Sequence, residues 1–135
     1  ALETAQAHDF VTARQTHNAA GLASAIAQGG TDVSGGQRQR LAIGRALAAK
    51  PKIYLFDDSF SALDATTDAA LRDALAEQLT EVTILIVAQR VATIQNADHI
   101  LVLEHGRIVD GGTNEQLVES STVYQQIVAS QVGHV

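Results

Sequence analysis

The 135-residue sequence has no cysteine, one proline and no long apolar run. Without cysteine there is neither a disulfide framework nor a thiolate zinc site, which fits a reducing compartment. No apolar run approaches the roughly 20 residues of a membrane helix and no signal peptide is visible, so we expect this chain itself to be soluble. The formal net charge of −6 argues against a broad nucleic-acid surface, which would need clustered Lys and Arg.

What is present indicates a packed α/β domain, since 46% of the residues are hydrophobic and 18% charged. Periodicity predicts helices over 2–15, 36–49, 65–79, 91–95, 114–119 and 123–131, and strands over 53–56, 83–87 and 99–103. The first two strands read as buried, the third turns at Gly106 into a hairpin, and 17–32 reads mostly as loop. Alternation of strand and helix predicts a parallel sheet.

A short polar stretch, Ser34-Gly35-Gly36-Gln37, lies directly before the second predicted helix. Ser34 suits the N-cap position, and the two glycines let another molecule approach the backbone closely. Free amide N–H groups and the helix dipole would then favour an anion such as phosphate. The same residues also fit an ordinary turn before a helix.

Polar residues follow two of the predicted strands. Asp57 and Asp58 end the first, and Gln89 follows the second. Since ligands of open α/β sheets bind at the carboxyl ends of the strands, these side chains are expected at one edge, where a carboxylate could meet nucleotide-borne Mg²⁺. The alternative is a pair of solvated acids and a surface amide.

The order and spacing of these motifs resemble the C-terminal half of an ABC transporter nucleotide-binding domain, over residues 1 to about 131. Residues 33–37 match the signature motif, 53–57 the Walker B strand and 61–64 the D-loop, while 97–108 looks like the exporter type. The resemblance implies a P-loop NTPase (RecA-like) parallel sheet with part of the ABC helical subdomain. About 1–50 would be that subdomain with the signature, and about 51–135 the remainder of the catalytic core.

The resemblance also implies the roles of individual residues, with ATP and Mg²⁺ as cofactors. Asp57 would position Mg²⁺, whereas Ser61 and Asp64 would belong to the D-loop. The signature residues Ser34, Gly35, Gly36 and Gln37 would close over ATP held by a second ABC ATPase domain. Gly30 matches the last glycine of the loop that touches the transmembrane coupling helices, although Ala27 and Gln28 replace its usual Gly and Glu. The parent protein would act at the cytoplasmic face of the cell membrane.

Two departures from the family pattern fall at the catalytic centre. Asp58 stands where the family usually has the Glu that serves the attacking water, and Gln89 stands where it usually has His. Asp is one methylene shorter, and a displacement on the order of 1 Å can cost about 10²-fold in rate. Gln cannot relay a proton as imidazole does. The pair resembles the degenerate half of a heterodimeric exporter, whose non-identical partner would carry Glu and His.

The sequence contains no Gly-x-x-x-x-Gly-Lys-Ser/Thr string, so the phosphate-binding P-loop and its strand are missing. By resemblance that strand would lie between strands 83–87 and 99–103. We therefore expect a fragment that alone neither binds ATP tightly nor hydrolyses it. Two alternatives stay open: a non-transport ABC ATPase acting on DNA or ribosomes, and a homodimeric exporter with two slow sites.

Overall fold

The computed structural model describes residues 1–16 and 19–132 and contains two compact units, Ala1–Val87 and the residues from Ala88 onwards. In the first unit the elements are α1 (His8–Thr12), β1 (Gln15–Thr16), β2 (Ala19–Ala20), α2 (Gly35–Ala49), β3 (Ile53–Asp57), α3 (Ala65–Gln78) and β4 (Thr83–Val87). In the second they are α4 (Val91–Ile94), β5 (Ile100–Glu104), β6 (Arg107–Gly112), α5 (Asn114–Ser120) and α6 (Thr122–Val132). No helix among the described residues is long and apolar enough to cross a bilayer.

The first unit is built on a parallel β–α–β arrangement. Strands β3 and β4 pair in parallel from Ile53 opposite Thr83 to Asp57 opposite Val87, with α3 as the crossover. Among the described strands, β4 pairs with β3 alone. The predicted α/β class is therefore confirmed.

Helix α2 follows its sequence signals closely. Ser34 caps its first turn, and Lys50 ends it in the left-handed conformation (φ 46°) directly before Pro51. Its buried side chains Ile43 and Leu47 pack into the core of the first unit, together with residues of β3, α3 and the intervening loop: Tyr54, Phe56, Phe60, Leu63, Leu71 and Leu75. This core fixes the helix start relative to the carboxyl end of β3.

The predicted helix over 2–15 is wrong for most of its length. Gln6 adopts a left-handed conformation (φ 53°), and the N–H groups of Gln6 and Ala7 donate to the carbonyls of Glu3 and Leu2. These two bonds form a Schellman ending, so only His8–Thr12 continues as α1. Arg40 of α2 holds the backbone at this break, since its Nη1 donates to the Gln6 carbonyl at 2.6 Å.

The expectation that β3 and β4 are buried is also wrong for one face of their sheet. Tyr54 and Phe56 are 4% and 2% exposed, whereas Leu55 and Leu85, on the other face, are 64% and 53% exposed. Parallel sheets are normally covered on both faces. Here the described residues of the first unit cover one face only.

The loop predicted over 17–32 contains more structure than expected. Strands β1 and β2 form a small antiparallel pair, and single 3₁₀ turns occupy Gly21–Ala23 and Gln28–Gly30. Residues 17 and 18 of this predicted loop lie outside the described part of the chain.

The second unit confirms the predicted hairpin. Strands β5 and β6 pair antiparallel around Gly106, with an irregularity between Val102 and Leu103. Helices α5 and α6 cover the buried side of this hairpin through Leu117 and Tyr124. The Tyr124 hydroxyl donates to Asn114 Oδ1 at 2.8 Å, and burial raises the pKa of that hydroxyl.

The left-handed Gln6 gives a stability test. Glycine adopts this conformation without the penalty of about 1–2 kcal/mol that an L side chain meets. We expect Gln6→Gly to raise the free energy of unfolding by up to about 1 kcal/mol, measured by urea denaturation followed by circular dichroism. Ala13→Gly is the matched control, because Ala13 has an ordinary φ of −73° and glycine there should only destabilise. A stability loss at both positions would contradict the break at Gln6.

Candidate functional site

The start of α2 is closed by a capping box. Ser34 Oγ accepts from the Gln37 N–H at 3.1 Å, and Gln37 Oε1 accepts from the Ser34 N–H at 3.0 Å. The N-cap predicted at Ser34 is thus confirmed. The hydroxyl keeps its own proton to donate, and the Gln37 amide keeps its NH₂ group. Helix geometry also leaves the N–H groups of Gly35 and Gly36 without intrahelical acceptors.

Gly36 has a steric role that the sequence did not reveal. A Cβ placed on Gly36 would lie 2.9 Å from the backbone carbonyl oxygen of Ala62, whereas one on Gly35 would lie 3.5 Å from the Ala62 side chain. The glycines were predicted to admit another molecule. The second glycine also lets the chain's own loop after β3 approach the helix closely, and the approach of another molecule stays a prediction.

A cleft of about 390 Å³ opens where these segments meet. Residues 34–36 line one side and residues 62–64 another, with Arg40 and Thr67 completing the wall. The guanidinium of Arg40 donates from Nη1 to the Gln6 carbonyl and lies 4.8 Å from the centre of the Phe10 ring, whereas its buried Nε has no hydrogen-bond partner among the described residues. The first turn of α2 is thus the part of this wall with amide N–H groups left to offer a ligand.

The loop after β3 turns sharply at Asp58, whose φ is 47°. Asp and Asn adopt this left-handed conformation more readily than most residues. The Asp58 N–H donates to the Val87 carbonyl at 2.9 Å, and the Asp58 carbonyl accepts from Ser61 Oγ at 2.9 Å. Both the N–H and the carbonyl of Asp58 are therefore held by hydrogen bonds.

Asp64 serves as the cap of α3. Its two carboxylate oxygens accept from the N–H and the hydroxyl of Thr67, at 2.9 and 2.8 Å. Those hydrogen bonds hold the pKa of the Asp64 carboxyl below its usual value. Both carboxylate oxygens of Asp64 thus accept hydrogen bonds from the first turn of α3.

Asp57 ends β3 with an exposed side chain. Within the described residues, no group of three or more His, Cys, Asp or Glu side chains could hold a metal ion. A cation at Asp57 would have to bring further oxygen ligands. Mg²⁺ bound to nucleotide phosphates and water does so, so this lone carboxylate fits that ion.

Gln89 belongs to the second unit, so its predicted meeting with Asp58 at one sheet edge stays a prediction. Its side chain is exposed. Its carbonyl accepts from Gln131 Nε2 at 2.7 Å, and Gln131 Oε1 accepts from the Val91 N–H at 2.9 Å. The amide of Gln131 in α6 therefore holds the backbone on both sides of Arg90, a feature that carried no sequence signal.

The segment before the signature residues is held by Arg14. Its guanidinium donates to the Ala25 carbonyl at 3.2 Å and forms an ion pair with Asp32, whose other oxygen accepts from the Ala27 N–H at 3.0 Å. Burial alone would raise the pKa of Asp32, but the Ala27 hydrogen bond and Arg14 together lower it. These contacts fix the loop that contains Gly29 and Gly30.

Comparison with known proteins finds ABC transporters that are similar to nearly the whole chain. A family profile described as ABC transporter matches residues 3–61. The chain is 46% identical to an ABC transporter ATP-binding protein of Mycobacterium tuberculosis, over 97% of this chain and 22% of that protein. It is 39% identical to the ATP-dependent lipid A-core flippase of Haemophilus ducreyi, with the same coverage.

A solved structure matches as well. The ATP-bound structure of a bacterial Atm1-family ABC exporter superposes with a TM-score of 0.89 at 32% identity, over 98% of this chain and 23% of that one. Fold and sequence together give an α/β structure that matches part of an ABC exporter's ATP-binding domain, consistent with the P-loop NTPase fold. The chain is homologous to the ATP-binding domains of ABC exporters. It spans less than a quarter of the length of these relatives.

The close approach of Gly36 and Ala62 can be tested directly. Gly36→Ala forces the loop backbone away and should lower the free energy of unfolding by about 1–3 kcal/mol, the usual cost of overpacking. Gly35→Ala is the control, since its Cβ would make an ordinary contact and alanine favours the helix. Chemical denaturation of both variants measures the difference. Equal stabilities would show that the contact is absent.

Proposed function

We propose that this chain forms part of the ATP-binding domain of an ABC exporter and couples ATP binding and hydrolysis to export across the cell membrane, from its cytoplasmic face. The observation that carries the proposal is the α2 start. Its free first-turn N–H groups and the Ser34 hydroxyl line one cleft with the loop of residues 62–64. The names of the relatives, among them a lipid A-core flippase, support an exporter and do not identify the cargo.

The signature residues would serve a partner domain. Ser34, Gly35, Gly36 and Gln37 present donors outward from one helix end, and a γ-phosphate held by a second ATP-binding domain is the ligand those donors fit. The capping box orients the Ser34 hydroxyl before any ligand arrives, which reduces the ordering cost of binding. ATP on the partner is thus the proposed ligand of this surface.

The chain's own site would be slow. Asp57 would hold Mg²⁺, and the ion would neutralise charge on the phosphates, while Asp58 and Gln89 would take the positions that usually hold Glu and His. The shorter acid and the amide, which cannot relay a proton, reduce hydrolysis and leave nucleotide binding intact. The proposed partner is therefore a non-identical subunit with Glu and His at those positions.

Two further contacts complete the proposal. Gly30, in the loop held by Arg14 and Asp32, would face the transmembrane coupling helices. Ser61 and Asp64 would belong to the D-loop, where Asp64 acts as a helix cap and gives the loop its shape. The first contact would carry the nucleotide state to the membrane domain, and the second would present the loop to the partner.

Reciprocal substitutions test the division of labour in the complete transporter. Ser34→Arg places a bulky cation in the partner's site and should abolish steady-state ATP hydrolysis. Asp58→Asn should leave most of that hydrolysis, since the proposed fast site does not use Asp58. Phosphate release measures both rates. Turnover lost in Asp58→Asn and kept in Ser34→Arg would reverse the assignment.

A second prediction concerns the 135-residue chain by itself. It contains no P-loop, and one face of the β3–β4 sheet is uncovered within the first unit. We expect no ATP hydrolysis above the buffer rate and no ATP binding at micromolar concentration, measured by phosphate release and calorimetry. Hydrolysis by the purified chain that disappears with Asp57→Asn would contradict this expectation.

A further inference from the structure

Gln39 makes hydrogen bonds that no motif assigned so far explains. It lies in α2, two residues after the signature stretch. Its Nε2 donates to the Asp58 carbonyl at 3.2 Å and to Ser61 Oγ at 3.0 Å. Its Oε1 accepts from the Ala62 N–H at 3.0 Å. One side chain thus uses both ends of its amide to hold one loop.

The bonded loop is the one that carries Asp58. Asp58 sits in the left-handed region, with φ 47°, where the backbone is held only if its surroundings fix it. Ser61 contributes bonds from within the loop. Gln39 contributes bonds from a separate helix, so it fixes the loop relative to α2.

This geometry links the two proposed nucleotide sites, the partner's site and the chain's own. On the proposed function, the start of α2 would contact the partner's nucleotide and Asp58 would face the chain's own nucleotide. We propose that Gln39 is a positioning residue that makes the placement of the Asp58 carboxylate depend on the position of α2. Closure of the signature on the partner's ATP then moves Asp58 with it. The inference rests on the proposed function of both sites.

If Gln39 only stabilised the fold, its substitution would affect variants with and without Asp58 alike. Loss of a hydrogen-bonded amide lowers stability wherever it occurs, but a positioning residue loses its effect once the group it positions is removed. A double-mutant cycle between Gln39 and Asp58 separates the two. Gln39→Glu is the conservative variant, because it keeps the acceptor for the Ala62 N–H and replaces the donor with a second acceptor facing the Asp58 carbonyl.

The experiment uses the complete transporter, with the partner domain's catalytic carboxylate neutralised so that hydrolysis reports on this chain's own site. Single-turnover hydrolysis of bound ATP is measured for Gln39→Leu, Gln39→Glu, Asp58→Asn and Gln39→Leu/Asp58→Asn. Gln126→Leu is the control, since this amide on α6 is exposed. ATP affinity is measured alongside, and hydrogen exchange at the Ala62 amide reports on the contact itself.

We expect Gln39→Leu to slow the single turnover at least 10-fold with unchanged ATP affinity, in line with displacement of a catalytic group. Gln39→Glu should keep Ala62 protected but also slow turnover, because its carboxylate repels the Asp58 carbonyl to which Gln39 Nε2 donates, and Gln126→Leu should match the wild type. In the Asp58→Asn background, Gln39→Leu should have no further effect.

Two results overturn the inference while the proposed function stands: a wild-type rate in Gln39→Leu, or full additivity with Asp58→Asn. A transporter that hydrolyses no ATP and binds none before any substitution would instead overturn the proposed function. Since that result appears in the wild type, the two failures are distinguishable.

Discussion

The contact between the start of α2 and the loop after β3 is the constraint on which the site depends. Because Gly36 has no side chain, the Ala62 carbonyl can come within 2.9 Å of the place a Cβ would occupy. At that separation Gln39 reaches across to the Ala62 N–H and the Asp58 carbonyl. A larger residue at 36 would push the loop beyond the reach of this side chain, so the glycine and the glutamine act together.

The same region shows how a binding surface is ordered before a ligand is present. Ser34 and Gln37 satisfy each other in a capping box, and Asp64 is occupied by Thr67. The Ser34 hydroxyl and the Gln37 NH₂ group can still donate, and both belong to a backbone that packing already fixes. Binding therefore costs little conformational entropy, in contrast with a flexible glycine-rich loop that must be ordered by its ligand.

Sequence reasoning located α2, α3, β3 and β4 because their signals are local: caps at Ser34 and Asp64, a stop at Pro51 and apolar periodicity. It failed where tertiary structure decides. The first helix is broken at Gln6, whose carbonyl accepts from Arg40 of α2, a tertiary contact that no local signal predicts. Gln39 lies in the polar run Gln37–Arg40, where its side chain reads as solvated. The exposed Leu55 depends on which layers cover the sheet.

Asp58 lies in the loop that contacts α2 and is also the residue proposed to take part in ATP hydrolysis. Its φ of 47° belongs to a region where Asp is favoured over Glu, because the short side chain can bond its own backbone. A Glu at 58 would extend the carboxylate by one methylene. On the proposed assignment, the shorter acid suits the loop that Gln39 bonds and would hold the carboxylate back from the attacking water. One residue type thus accounts for a stable loop and, on the proposed assignment, a slow site.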